Sequence, residues 1–243
     1  MSKLNPNSYR SLLFDLDGTL LVLDMDKFIP AYIEALSSKF IDMISQNNFS
    51  QHLFGATNAM VQNLDPGKNN ETVFYEEFYR RTGLSYNQIK PIVDDFYQSD
   101  FPALSCWGSE HPQGRAVIEA AQKKKMNLVL ATNPIFPSTA ILERLSWSGL
   151  SADQFQLVTT MENMHFCKPN PEYYLEISHK INCPPEKCLM AGNDTSEDLN
   201  ASQAGMATYL VDDFILKRSK EEPISDYRGN LKDLESLINS IEI

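Results

Sequence analysis

The chain has 243 residues, 42% of them hydrophobic, and carries 21 Lys and Arg against 32 Asp and Glu for a net charge of −11. That length fits one large domain or a domain carrying an insertion, and the apolar share is enough for a real core. The acidic balance argues against nucleic acid or an anionic membrane surface as partner, because phosphate backbones and anionic headgroups require an excess of Lys and Arg.

No apolar run approaches the length of a membrane span. The first residues, Met1-Ser2-Lys3-Leu4-Asn5-Pro6, form no apolar signal-peptide region. Four cysteines (Cys106, Cys167, Cys183 and Cys188) agree with a reducing compartment, so a cytoplasmic location is expected. Cys183 and Cys188 are near each other, but no histidine or further cysteine completes a zinc set, and they read as free thiols.

In chain order, Leu12-Leu13-Phe14 predicts a buried parallel strand running into Asp15-Leu16-Asp17-Gly18-Thr19. Gly18 permits a sharp turn where the strand ends. Alternate side chains of an extended chain share a face, so Asp15 and Asp17 can converge at the strand end unless the chain already turns there. Two acids at one point both stay ionised only beside a cation, which makes the segment a candidate metal and acid/base site. From residue 23 to about 107 the pattern is helical: Phe28, Tyr32, Leu36, Phe40 and Ile44 recur at helical spacing, as do Ile89, Val93 and Phe96, and Val73, Phe74 and Phe78 mark another stripe. This predicts a helical insertion that ends in a loop rich in Pro and Gly over 101–114.

Beyond residue 107 strand-like and helix-like segments alternate. Helices are expected over 115–125, 138–147, 170–180 and 231–241, with one more capped by Thr195 or Ser196 and stopped at Gly205. Strands are expected over 127–131, 156–159, 188–191 and 207–211. Such alternation predicts an α/β fold, a Rossmann-like parallel sheet with helices on both faces, whose ligands bind beyond the carboxyl ends of the strands.

Three further segments carry chemistry. The strand before Thr132-Asn133-Pro134 delivers a hydroxyl and an amide that can donate to a phosphoryl oxygen. Lys168-Pro169-Asn170-Pro171 places a lysine just before a helix start, where its charge makes sense if an anion sits there. Gly192-Asn193-Asp194 leads a strand into a turn and then into further acids, Glu197 and Asp198.

Together, and in this order, the four segments resemble the four motifs of the haloacid dehalogenase (HAD) superfamily. The resemblance covers residues 8–22 and about 108–243, and residues 23–107 stand where that family carries a helical type-1 cap. The fourth motif departs from the family wording, since Asn193 follows the glycine and Asp194 comes one place later. The resemblance implies a Mg2+-dependent phosphatase acting on a small phosphorylated metabolite. Asp15 would be the nucleophile, Asp17 the general acid and base, and Lys168 a catalytic cation. Thr132, Asn133 and Lys168 would hold phosphate. Asp15, Asp17 (through its backbone carbonyl) and Asp194 would hold the metal, with Asn193 and Asp198 in support and Glu197 competing for the role of Asp198. The acid at Asp17 favours phosphate esters over halides, which need no proton. A sugar phosphomutase and a non-catalytic HAD-like binding protein are the alternatives.

Overall fold

The computed structural model describes residues 5–218 and 222–242; Met1–Leu4, part of the N-terminal stretch read for targeting, lie outside them. Its centre is a strand, β1 (Ser11–Phe14), buried at every residue. It pairs in parallel with β4 (Asn127–Leu130) on one side and β6 (Cys188–Gly192) on the other, so that Phe14 lies between Leu130 and Ala191. β5 (Leu157–Val158) extends the sheet beyond β4, and β7 (Ala207–Val211) and β8 (Tyr227–Gly229) extend it beyond β6. The result is a 6-stranded parallel sheet of order β5-β4-β1-β6-β7-β8.

Both faces of this sheet are covered, which is why its central strands are apolar throughout rather than alternating. Leu12 and Phe14 of β1 join a core with Val117 and Ile118 of α5 (Gly114–Lys123) and Leu234 and Ile238 of α8 (Leu231–Ser240). Leu13 points the other way, into a second core with Tyr173, Tyr174 and Ile177 of α7 (Pro171–Lys180). Asn170 stands at the N-cap of α7 as expected, but its side chain makes no cap hydrogen bond and donates to the Val61 carbonyl at 2.8 Å.

A short antiparallel ribbon of β2 (Leu21–Leu23) and β3 (Gly108–Glu110) brackets a helical segment. That segment contains α1 (Met25–Ser38), α2 (Gln46–Gln62), α3 (Asn70–Thr82), α4 (Tyr86–Ser99) and a 3-10 run, Phe101–Trp107. Its aromatic core reaches the sheet layer at α6 (Ser138–Trp147), where Phe101 stacks on Trp147 with ring centres 5.5 Å apart and Phe28 meets the same ring edge-on at 6.2 Å.

Several expectations need correction. The stripe from Phe28 to Ile44 is not one helix: α1 stops at Ser38, and Phe40 is buried from a turn because its ring stacks on Phe49 of α2 at 5.0 Å. α2 follows the same period with Phe49, Leu53, Ala56 and Met60 buried, and lies outside the predicted stripes. The expected loop over 101–114 holds the 3-10 run, with Pro102 in its first turn, and then β3. The helix expected from Thr195 or Ser196 is a 3-10 run that starts only at Asp198 and ends at Gly205, where φ is +86°. Before it, residues 195–197 form a turn, in which the Asp194 carboxylate accepts from the amides of Ser196 and Glu197. β8 was not predicted. Among the described residues no helix is long and apolar enough to cross a membrane.

Candidate active site

The strand ends of β1, β4 and β6 lie side by side, and each delivers polar residues to the same rim. The amide of Asp15 donates to the Ala191 carbonyl at 2.9 Å, so β1 keeps its pairing with β6 up to the first carboxylate. The chain then turns at Gly18, whose φ of +84° suits glycine, and whose amide donates to the Leu21 carbonyl at 2.7 Å. A Cβ there would also lie 2.2 Å from Asn193 Nδ2, so a side chain at this position would displace Asn193.

Lys168 is fully buried. Its Nζ lies 2.8 Å from Asp15 Oδ1 and 2.6 Å from Asp198 Oδ1. The other oxygen of Asp198 accepts from the Asp194 amide at 2.8 Å, which ties the lysine to the turn after β6. Two buried carboxylates thus share one ammonium. Burial pushes Asp15 up to about 6 and Asp198 up to about 7, against the pull of Lys168. Burial also acts against the ammonium, yet attraction by Asp15 and Asp198 holds Lys168 well above the ordinary lysine range.

Asp198, not Glu197, faces the lysine. Glu197 accepts from Asn133 Nδ2 at 3.0 Å and lies 3.5 Å from Arg218. Asn133 also accepts from the Lys168 amide at 3.2 Å, so its side chain holds the lysine loop. Thr132 is buried beside it, and its carbonyl accepts from Thr159 Oγ1 at 2.7 Å and the Tyr173 hydroxyl at 2.9 Å. Asn193 accepts from Thr19 Oγ1 at 3.3 Å and donates to the Phe214 carbonyl at 2.7 Å, linking the turn after β1 to the segment that follows β7. Asp194 places Oδ1 on its own turn amides and Oδ2 against Arg218 at 2.7 Å.

A cavity of about 280 Å3 opens on these strand ends, walled by Asp15, Asp17, Thr132, Asn133, Arg144 and Asp194 among others. Neither Lys168 nor Asp198 is on that wall; Lys168 reaches it through its contact with Asp15. Asp17 pairs through Oδ2 with Nη1 of Arg144, a residue of α6 that was not expected at the site. Arg144 is 1% exposed and also lies over the Phe136 ring, 4.4 Å from its centre. A signal was available: Ala140, Ile141 and Leu145 make the buried stripe of α6, and Arg144 is a charge set into that stripe. Arg218 carried no comparable signal.

With this geometry in place, comparison with known proteins is decisive for the family. The profile described as haloacid dehalogenase-like hydrolase matches residues 12–211. The chain belongs to the haloacid dehalogenase-like hydrolase family. A glyceraldehyde 3-phosphate phosphatase of Methanothermobacter thermautotrophicus is 34% identical over 89 residues, 33% of this chain and 39% of that protein. A phosphoglycolate phosphatase of Vibrio vulnificus is 30% identical over 122 residues, 50% of this chain and 51% of that protein. The matches therefore span about two fifths and one half of those two relatives' lengths. Among solved structures, a HAD phosphatase from Thermococcus onnurineus superposes with a TM-score of 0.61 at 19% identity, covering 96% of this chain and all of the other. An L-2-haloacid dehalogenase from Xanthobacter autotrophicus gives 0.59 at 12% identity over 96% of this chain and 100% of that one, which extends the likeness in fold across branches with different chemistry.

Proposed function

We propose that this member of the haloacid dehalogenase-like hydrolase family is a Mg2+-dependent phosphatase that hydrolyses a small phosphorylated metabolite through an aspartyl-phosphate. The observation that carries the reading is the buried contact of Lys168 with both Asp15 and Asp198 at the strand ends, because it holds Asp15 in a fixed orientation at the cavity wall. The phosphatase names of the two partial relatives support it.

The chain supplies hard oxygen donors for a divalent cation in Asp15, Asp194 and the Asp17 carbonyl. Among the described residues no three His, Cys, Asp or Glu side chains form a metal cluster. The guanidinium against Asp194 Oδ2 marks that oxygen as one that favours a positive charge. When bound, Mg2+ would neutralise the phosphoryl oxygens.

In the proposed cycle a carboxylate oxygen of Asp15 forms a bond to phosphorus as the phosphorus–ester oxygen bond breaks. Asp17 donates its proton to the departing oxygen. Asp17 then takes a proton from water, whose oxygen attacks phosphorus and frees Asp15 and inorganic phosphate. Thr132 donates to a phosphoryl oxygen from the wall of the cavity, Asn133 keeps the Lys168 loop in place, and Lys168 fixes Asp15 in its attacking orientation. In this reading residues 1–22 and 108–243 form the catalytic core, and 23–107 form a cap that excludes water and selects the leaving group. A cytoplasmic location fits the free thiols of Cys106, Cys167, Cys183 and Cys188.

The test is turnover of an aryl phosphate by the purified protein with and without Mg2+. Release of phosphate that needs the metal and disappears in Asp15→Asn is the expected result. An absence of turnover, or an Asp15→Asn variant as active as wild type, overturns the reading. Isomerised product from a sugar phosphate, dependent on a bisphosphate, would reassign the protein as a mutase.

A further inference from the structure

The Asp17–Arg144 pair leaves two buried polar atoms without a hydrogen-bond partner, Asp17 Oδ1 and Arg144 Nη2. The guanidinium is otherwise accounted for: Nη1 goes to Asp17 Oδ2, Nε reaches the Ala140 carbonyl at 3.4 Å, and the flat face lies on Phe136. A buried cationic N–H without an acceptor is costly, and arginine keeps its charge at any working pH. Both residues line the cavity that opens on Asp15. The lining also contains Leu23, Ile29, Ile135 and Phe136, and Phe136 is the ring on which Arg144 lies. Asp17 Oδ1 and Arg144 Nη2 are thus a carboxylate oxygen and a guanidinium nitrogen, both buried and both without a partner, on two residues of the cavity's lining.

We infer that Asp17 and Arg144 form a two-point site for the leaving group, in which Asp17 Oδ1 takes the ester oxygen and Arg144 Nη2 binds a carboxylate on the adjoining carbon. The substrate class is then a short phosphorylated hydroxy acid. This rests on the phosphatase reading above and adds the identity of the leaving group. A carboxylate is the acceptor that a guanidinium binds most strongly, because the bond is charge-assisted.

The experiment compares two esters of the same carbon number, phosphoglycolate and ethyl phosphate, which differ in having a carboxylate or a methyl on the carbon next to the ester. Wild type is expected to prefer phosphoglycolate in kcat/KM by at least about tenfold, the loss typical of one charge-assisted hydrogen bond. In Arg144→Met and in Arg144→Lys that ratio falls toward one, chiefly through a raised KM for phosphoglycolate. Arg144 also holds Asp17, so kcat for both esters falls together, and the ratio separates recognition from positioning. A second readout needs no turnover: calorimetry with Mg2+ present, using the non-hydrolysable 3-phosphonopropionate against propylphosphonate. Wild type binds the carboxylate analogue more tightly and Arg144→Met does not. Equal treatment of the paired ligands by wild type, or an unchanged ratio in the folded variants, overturns the inference. If aryl phosphate is not turned over at all, the phosphatase reading fails, and the calorimetric pair still decides whether Arg144 binds a carboxylate.

Discussion

Lys168 Nζ stands 2.8 Å from Asp15 Oδ1, joining residues 153 positions apart at a point where the lysine has no exposure to solvent. The same ammonium serves Asp198 at 2.6 Å. Removing it would leave two buried carboxylates facing each other. Lys168→Met is therefore expected to cost on the order of 3–5 kcal/mol of stability, the range for breaking a buried ion pair by deleting one partner. Chemical denaturation measures this. Lys168→Arg should recover only part of it, since the larger planar guanidinium replaces a compact ammonium in a fully enclosed space. Aryl phosphate turnover should fall in both variants. A Lys168→Met protein as stable as wild type would show that the carboxylates do not depend on the ammonium.

The raised pKa of Asp15 predicts how Mg2+ binding varies with pH. Burial places Asp15 at about 6 in the metal-free protein, so below that value a proton competes with the cation for the same carboxylate. Affinity should be nearly flat above pH 7 and weaken by about tenfold per pH unit well below 6, the dependence for displacement of one proton. Calorimetric titrations between pH 5 and 8 provide the check. Affinity that rises on acidification would contradict the placement of the metal on Asp15.

Gly18→Ala tests the turn that follows β1. The substitution meets a positive φ and an Asn193 side chain 2.2 Å from the new Cβ. Relief would displace Asn193 from Thr19 and from the Phe214 carbonyl. A loss of about 1–3 kcal/mol is expected from the backbone alone. Mg2+ affinity should drop as well, because Asn193 precedes Asp194. Thermal unfolding and a metal titration of the same sample separate the two effects.

His111 predicts a pH effect from a residue outside the cavity wall, packed against Phe214. It is 6% exposed, its Nδ1 accepts from the Gln113 amide at 3.1 Å, and burial lowers its pKa below the usual 6.5 despite Asp213 nearby. The unfolded chain then takes up a proton at a higher pH than the folded one, so stability falls as pH drops through 6.5 toward the folded value. Below the folded value this contribution is fully lost. His111→Gln removes the effect, and the advantage in Tm of wild type over the variant should shrink between pH 8 and pH 5. An advantage that grows on acidification would reverse the sign of the shift.

How much of this was legible in the sequence depended on whether the deciding interaction was local. β1 could be read because a central parallel strand is apolar on both faces, and Leu12-Leu13-Phe14 has no polar interruption. Asp15 was recognisable because it stands where an apolar run ends, Asp194 because it follows the turn at the end of another, and Lys168 because it stands just before a helix start. Glu197 and Asp198 could not be separated from sequence, since their directions depend on a turn held by the Asp194 carboxylate. Phe40 shares the spacing of α1 but not its helix, because contact with Phe49 supplies the burial. β8 has only three residues, one of them a glycine and one an arginine, and it takes strand form from its neighbour β7. Arg144 was detectable in principle as a charge in an apolar stripe, but its partner Asp17 is 127 residues away.

β1 is hydrogen-bonded on both sides, and the alignment that sets Phe14 beside Leu130 and Ala191 also brings Asp15 to Lys168. A slip of one residue would send every β1 side chain to the opposite face and turn the first carboxylate away from the ammonium. An insertion or deletion within Ser11–Phe14 is thus a mechanical fault in the machine as much as a flaw in its frame, because a single alignment serves both.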